Sequence, residues 1–270
     1  MDNGGGMSIA PLILGHRGAS ALAPENTLAA FSRALNDGAD GIEFDVRLSR
    51  DSVPVVIHDA TLQRTGLIDH AVSDLDASEL REVDVGSWFA QRNQNPNDAF
   101  IGEKLPTLGQ VFEFFSARDG LLYTEMKCEL NEGTALAAGV VKLTREFGMV
   151  DRVVVESFDH SAIAAVKRID PGIRTAALFE PKLLRPLSTI RRLKMIDAAL
   201  RVPADEIALH YTLATGRVID KAIQAGLEVV VWTVEDPIWI RRARSLGIKA
   251  LISNDPGSML RHRNVENASR

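Results

Sequence analysis

Short apolar runs alternate with longer amphipathic stretches along most of this chain, and that rhythm restricts the folds open to it. The apolar runs fall at residues 12–15, 42–46, 121–125, 153–157, 175–179, 206–209, 228–232 and 250–253. They are rich in β-branched residues or Leu and bounded by turn residues, the pattern of strands buried on both faces. Residues 27–35, 107–115, 134–147, 161–169 and 216–225 between them have apolar positions at helical spacing. Asn26 is the expected N-cap of the first of these helices. Gly148, Gly226 and the pair Pro171-Gly172 are stop signals for three others. Strand and helix taking turns eight times predicts a parallel sheet with crossover helices. The chain has 270 residues, and eight units in that length favour a closed TIM (β/α)8 barrel, which needs roughly 250 residues. A doubly wound sheet is the alternative, but no Gly-x-Gly-x-x-Gly follows any predicted strand.

One stretch breaks the rhythm. After a short predicted strand at 54–57 and the pair His58-Asp59, residues 60–106 show only patchy periodicity. They include a short helical pattern at 74–81 and a polar run at 91–98. This reads as a small insertion over one end of the barrel. The barrel domain is expected over 8–265, with 1–7 as a flexible lead-in. That lead-in lacks the charged and apolar regions of a signal peptide. No apolar run is long enough to span a membrane, so the expectation is a soluble, cytoplasmic protein without stable membrane insertion.

The net charge of −5, with both signs interspersed, argues against a nucleic-acid surface, which needs clustered Lys and Arg. The single basic cluster, 185–194, reads as the solvated face of a helix. Cys128 is the only cysteine, so no intramolecular disulfide forms, and it reads as a packed residue.

In a TIM barrel the active site forms where the strands end. The first strand ends in Gly15-His16-Arg17-Gly18, the second in Glu43-Phe44-Asp45 and the third in Glu125-Met126-Lys127, while 54–57 runs into His58-Asp59. Burying such groups unpaired is costly, so they must face a polar cavity or one another. Residues i and i+2 share a strand face, which puts Glu43 beside Asp45 and Glu125 beside Lys127. Three carboxylates converging on one mouth either hold a cation, with hard oxygen donors suiting Mg²⁺ or Ca²⁺, or pair with Arg17, Arg47 or Lys127 in an ion network. Spacing alone leaves both open. His16 and His58 stand at strand ends, where two imidazoles can serve as general base and general acid. His70, His160, His210 and His262 read as ordinary surface or core residues. Arg17 and Lys127 supply fixed positive charge suited to a phosphate. Asp59 either orients His58 or caps the turn that follows, and the cap is the preferred reading.

Taken in order, His16-Arg17-Gly18-Ala19, Pro24-Glu25-Asn26-Thr27, Glu43-Phe44-Asp45-Val46 and Val55-Val56-Ile57-His58-Asp59 resemble the motifs of the glycerophosphodiester phosphodiesterase family. Leu105-Pro106-Thr107-Leu108, Glu125-Met126-Lys127, Ser157-Phe158 and Trp232-Thr233 follow in the family's order, so the resemblance runs from about residue 12 to 260. It implies a TIM barrel and hydrolysis of a small-molecule glycerophosphodiester to glycerol 3-phosphate and an alcohol. It implies a divalent cation, Mg²⁺ or Ca²⁺, on Glu43, Asp45 and Glu125, with His16 and His58 catalytic and Arg17 and Lys127 on the phosphate. The implied route is attack by a glycerol hydroxyl on phosphorus, then opening of the cyclic phosphate by water. Glu156 is a candidate substrate contact. Trp232 packs either against the substrate or in the core, and Phe179 is treated alike. Ser253-Asn254-Asp255-Pro256 departs from the family's usual Thr-Asp ending of the last strand, which leaves that end without an assigned role. Competing readings are a lipid phosphodiesterase of lysophospholipase D, sphingomyelinase D or phosphoinositide phospholipase type, with Trp88, Phe89, Phe100 and Ile101 as an apolar rim, and a non-catalytic phosphodiester-binding barrel. Head-group and oligomeric state are not legible.

Overall fold

The computed structural model describes residues 10–94, 99–129, 132–181 and 189–268, with backbone alone at 189–193 and 268. The lead-in 1–7 lies outside these residues, as do 185–188 of the basic cluster and 95–98 of the polar run. The strands are β1 (Leu12–His16), β2 (Gly41–Leu48), β3 (Pro54–Val56), β4 (Leu121–Met126), β5 (Val153–Ser157), β6 (Arg174–Phe179), β7 (Glu206–His210), β8 (Glu228–Trp232) and β9 (Ala250–Ser253). All but β3 run parallel in a single sheet, which closes on itself where β1 pairs with both β2 and β9. The fold is an eight-stranded TIM barrel. β2 runs past its predicted end because Arg47 and Leu48 pair antiparallel with Val55 and Pro54 of β3.

The helices are α1 (Leu28–Asn36), α2 (Ala77–Leu80), α3 (Ser87–Arg92), α4 (Leu108–Phe115), α5 (Gly133–Glu146), α6 (His160–Ile169), α7 (Thr189–Arg201), α8 (Gly216–Gln224), α9 (Ile238–Leu246) and α10 (Pro256–Ala268). Apolar residues at helical spacing make α1 amphipathic, and it turns Ala30, Phe31 and Ala34 inward. The Phe31 ring lies 5.6 Å from that of Phe44 on β2, and burying a side chain of that size contributes roughly 1.5–3 kcal/mol. The N-cap of α1 is Thr27, whose side chain accepts from the Ala30 amide, and not Asn26. Asn26 is held in the left-handed region at φ 61°. Its amide group donates to Asp45 Oδ2 at 2.8 Å and accepts from the Asp45 N–H at 3.2 Å. A buried carboxylate at the next strand end competes for Asn26 and wins, leaving Thr27 to cap.

The segment between β3 and α4 packs as a layer of its own. Val55, Ile57, Leu62, Val72, Ala77, Leu80, Val85 and Leu105 form a separate apolar cluster. Trp88 and Phe89 are 7% and 4% exposed; Phe89 stacks edge-on with both Trp88 and Phe100, and the Trp88 indole N–H donates to the Val85 carbonyl. Of the apolar rim expected for a lipid enzyme, Ile101 is left clearly exposed, at 50%.

Candidate active site

Pleating decides what reaches the barrel mouth. The barrel interior is filled by Leu14, Tyr123, Val154, Leu178, Ala208, Val230 and Ile252, among others. Two residues further along the same strands the same face presents His16, Glu125, Glu156, Glu180, His210, Trp232 and Asn254. Above the apolar layers, the parallel strands therefore offer a ring of mostly polar and titratable groups. Glu43 joins it through its register with His16, and Asp45 through its register with Glu125.

The three carboxylates expected to converge do so. Glu43, Asp45 and Glu125 are buried, with ligand atoms within 4.8 Å of one another. Lys127 Nζ lies 2.7 Å from Glu125 Oε1 and 3.2 Å from Asp45 Oδ1, and Arg17 Nε lies 3.1 Å from Asp45 Oδ2. Burial raises the Asp45 pKa, but Arg17 and Lys127 outweigh it and hold the carboxyl well below its usual range. Glu43 is driven the other way by burial and by repulsion from Asp45 and Glu125. Burial and Asp45 likewise raise Glu125. Three carboxylates in one dry site cannot all ionise beside two cations alone. Arg47 turns away from this cluster to Glu129 and the His58 carbonyl.

Each histidine has a partner on Nδ1. His16 Nδ1 lies 2.6 Å from Asn254 Oδ1, which also accepts from the Ser20 hydroxyl at 3.0 Å. His16 Nε2 points at Glu43 Oε2, 3.8 Å away. Burial, helped by the charge of Arg17, pushes His16 down to about 4, so the ring is neutral at physiological pH. His58 Nδ1 lies 2.6 Å from Asp59 Oδ1. Asp59 therefore orients His58 and does not merely cap the turn, because Arg64 Nε grips its other oxygen at 2.6 Å. Arg64 also reaches Glu25 at 2.8 Å, and Glu25 returns to Arg17 at 2.8 Å. One chain of ion pairs thus joins the turns after β1 and β3.

His16, Arg17, Glu43, His58, Glu125, Lys127, Glu156 and Trp232 line one cavity of about 220 Å³ together with Phe158, Leu178, Glu180 and Ile252. Asp45 lies beneath it. Trp232 is only partly buried and packs edge-on to Phe158 at 5.7 Å and to His210 at 5.3 Å. Phe179 stacks with His160 away from the cavity. Cys128 is packed, and burial lifts its thiol to about 12, which leaves it unreactive. The residues that strand-end reasoning missed are Asn254, Glu180 and Phe158, together with Arg64 and Glu25. The first three follow from extending each strand's inward parity one step past its last predicted residue.

Residues 16–258 match the glycerophosphoryl diester phosphodiesterase family. The chain belongs to that family. It is 31% identical over 249 residues to the glycerophosphodiester phosphodiesterase of Caldanaerobacter subterraneus subsp. tengcongensis, covering 92% of this chain and 96% of that protein. Among solved structures it resembles an Oleispira antarctica phosphodiesterase in complex with the product sn-glycerol-3-phosphate, at a TM-score of 0.82, 25% identity and coverage of 94% and 97%. A putative glycerophosphoryl diester phosphodiesterase from Silicibacter pomeroyi DSS-3 is similar at a TM-score of 0.82 and 26% identity, covering 95% of this chain and 94% of that one. As a family member the chain is a phosphoric diester hydrolase. The family is generally dependent on a divalent cation, and the acidic cluster fits one. Its donors are hard carboxylate oxygens, and Asp45 Oδ1 and Glu125 Oε1 are buried without a hydrogen-bond partner beyond their ion pairs to Lys127.

Proposed function

We propose that the chain hydrolyses small glycerophosphodiesters to glycerol 3-phosphate and an alcohol, with His16 and His58 as the acid–base pair and a divalent cation on Glu43, Asp45 and Glu125. The observation that carries this reading is the convergence of three buried carboxylates, two histidines and the cations Arg17 and Lys127 on one 220 Å³ cavity. That volume is below the roughly 300–1,000 Å³ of sites for drug-sized ligands, which supports a small polar diester. With Trp88 and Phe89 buried, a lipid surface has little apolar rim to meet.

Arg17 and Lys127 neutralise the phosphodiester anion and hold it with phosphorus between the two imidazoles. Asn254 Oδ1 accepts from His16 Nδ1–H, which leaves the lone pair on Nε2 facing the site. His16 Nε2 then takes the proton of a neighbouring glycerol hydroxyl as its oxygen attacks phosphorus. Burial lowers the His58 pKa, the Asp59 carboxylate on Nδ1 opposes that shift, and the protonated ring gives its proton to the departing alcohol. The cyclic phosphate is opened by water with the two roles exchanged, as microscopic reversibility requires. Glu43, Asp45 and Glu125 would hold the divalent cation, Mg²⁺ or Ca²⁺, and the chemistry it would supply there is Lewis acidity toward the hydroxyl and the phosphoryl oxygens. Glu156 and Trp232 contact the substrate.

The test is release of glycerol 3-phosphate from a panel of glycerophosphodiesters after EDTA treatment, with Mg²⁺ or Ca²⁺ restored. Turnover recovered by one cation is expected. Full activity in EDTA overturns the metal site, and no release from any diester overturns the reaction.

A further inference from the structure

Arg64 belongs to the layer between β3 and α4, and its side chain stands behind the cavity rather than in its lining. All three of its guanidinium nitrogens are engaged. Nε donates to Asp59 Oδ2 at 2.6 Å, and the two terminal nitrogens donate to Glu25 Oε2 and Oε1 at 2.8 Å each. Each carboxylate passes the contact on to a group that does line the cavity. Asp59 Oδ1 lies 2.6 Å from His58 Nδ1, and Glu25 Oε1 accepts from Arg17 at 2.8 Å. A planar fork fixes the two carboxylates relative to each other, which a compact ammonium cannot do. The fork is itself supported from the layer. Its central carbon lies 5.6 Å from the ring centre of the buried Trp88. The Trp88 indole N–H is tied to the Val85 carbonyl. Leu62, fully buried in the layer's apolar cluster, anchors the turn that carries Arg64. Arg50 offers a contrast. It also pairs with two carboxylates of this layer, Asp76 and Glu79, but those two serve the capping box of α2.

Resting on the acid–base reading above, we propose that Arg64 is a positioning residue of the reaction, which sets His58 and Arg17 relative to each other by gripping Asp59 and Glu25 at once. The layer between β3 and α4 thereby takes part in turnover without touching substrate. The two arms of the fork have different kinetic signatures. The Asp59 arm orients the His58 ring, and that orientation matters when a proton moves, so it acts on kcat. The Glu25 arm holds one terminal nitrogen of Arg17, whose Nε meets Asp45 at 3.1 Å. Arg17 grips the phosphate in the bound substrate and in the transition state alike, so this arm acts on KM. Small displacements weigh heavily here, because a misplacement of about 1 Å can cost about 10²-fold in rate. An exposed ion pair on its own contributes little. The weight of this one comes from the two groups it aligns.

The experiment measures kcat and KM of the full chain, with its activating cation, on a soluble glycerophosphodiester that the wild type turns over. The variants are Arg64→Met, Arg64→Lys, Asp59→Asn and the double variant Arg64→Met with Asp59→Asn, and Arg50→Met is the comparator. A thermal melt establishes that each one folds. Arg64→Met keeps an unbranched chain beside Trp88 and removes the fork. It is expected to lower kcat by about tenfold and to raise KM by about threefold or more. Asp59→Asn is expected to lower kcat with KM unchanged. Because Arg64 acts on kcat through Asp59, the double variant is expected within about threefold of the slower single variant. Arg64→Lys keeps the charge without the fork and is expected to fall between Arg64→Met and the wild type. Should Arg64→Met fail to fold, Arg64→Lys carries the test. A folded Arg64 variant with wild-type kcat and KM overturns the role, even where its melting temperature drops. A double variant at the product of the two single effects overturns it as well, and so does an equal fall in Arg50→Met. Each of these results leaves the phosphodiesterase reading intact. Absence of wild-type turnover on any glycerophosphodiester overturns both.

Discussion

At the scale of single residues, the two histidines are differentiated by what holds Nδ1. A neutral amide oxygen fixes the His16 tautomer, whereas at His58 a carboxylate clamped by Arg64 offsets part of the lowering that burial and the charges of Arg17 and Lys127 impose on the ring. Replacing either histidine by alanine is expected to lower kcat by about 10²-fold or more, the scale of lost proton transfer. Asn254→Ala, which removes one neutral hydrogen bond, is expected to cost about tenfold in kcat. Steady-state kinetics on one diester ranks all three variants, and an Asn254→Ala enzyme at full speed excludes the positioning role. The ion-pair chain also makes stability depend on pH. Burial raises Asp59, but its bonds to Arg64 and His58 prevail and lower it from 3.8 to about 2. A folded-state pKa below the unfolded one gives a contribution that is complete above the unfolded value and lost as pH falls through the folded one. The Tm deficit of Asp59→Asn relative to wild type is therefore expected to narrow as pH falls from about 4 to about 2. A deficit independent of pH would show that the Asp59 charge holds nothing.

At the scale of elements, the turn after β1 is the most constrained segment of the site. Arg17 occupies the left-handed region at φ 53°, a cost that persists only where the surroundings over-determine it. Its amide donates to Glu43 Oε2 at 3.1 Å, and its guanidinium meets Glu25 and Asp45. Gly18 follows at φ 81°, where a Cβ would stand 2.6 Å from the Ala30 carbonyl carbon in α1. Gly18→Ala therefore meets both strain and overlap, and is expected to destabilise by roughly 2–4 kcal/mol. Gly102, at φ 86° with open space around its Cβ, is the control; Gly102→Ala incurs backbone strain of about 1 kcal/mol. Urea unfolding of the two variants separates overlap from strain, and equal losses would deny the close approach of this turn to α1.

At the scale of the whole molecule, the two ends of the barrel do different work. The end opposite the cavity is sealed by Glu206, fully buried, which takes Lys249 at 2.6 Å, Arg174 at 2.9 Å and the Tyr123 hydroxyl at 2.8 Å. Glu228 meets the same two cations. Glu206→Gln removes the central charge but leaves Glu228 in place. The expected loss is about 2 kcal/mol, less than the roughly 3–5 kcal/mol of an unrelieved buried charge. Four residues of strand separate Glu206 from the mouth, roughly 13 Å, so kcat is expected to stay close to that of the wild type. A large fall in kcat without loss of stability would mean that the two ends are coupled.

The sequence by itself determined the strand and helix rhythm, the parallel sheet and the polar strand ends, because alternation and burial are local properties that the order of side chains carries. It placed Glu43 with Asp45 and Glu125 with Lys127, since residues two apart share a strand face. Tertiary structure alone decided which of these groups touch. Asn254 and His16 are 238 residues apart in the chain, and they meet because β9 pairs with β1 when the barrel closes. Arg64 reaches Glu25 across 39 residues because the segment after β3 folds back over the turn after β1. The role of Asn26 changed for the same reason: local capping chemistry was outbid by a carboxylate that only the closed sheet brings within reach. Side-chain direction is written in the pleat of each strand, but proximity between strands is written in the closure, and no single stretch of sequence contains it.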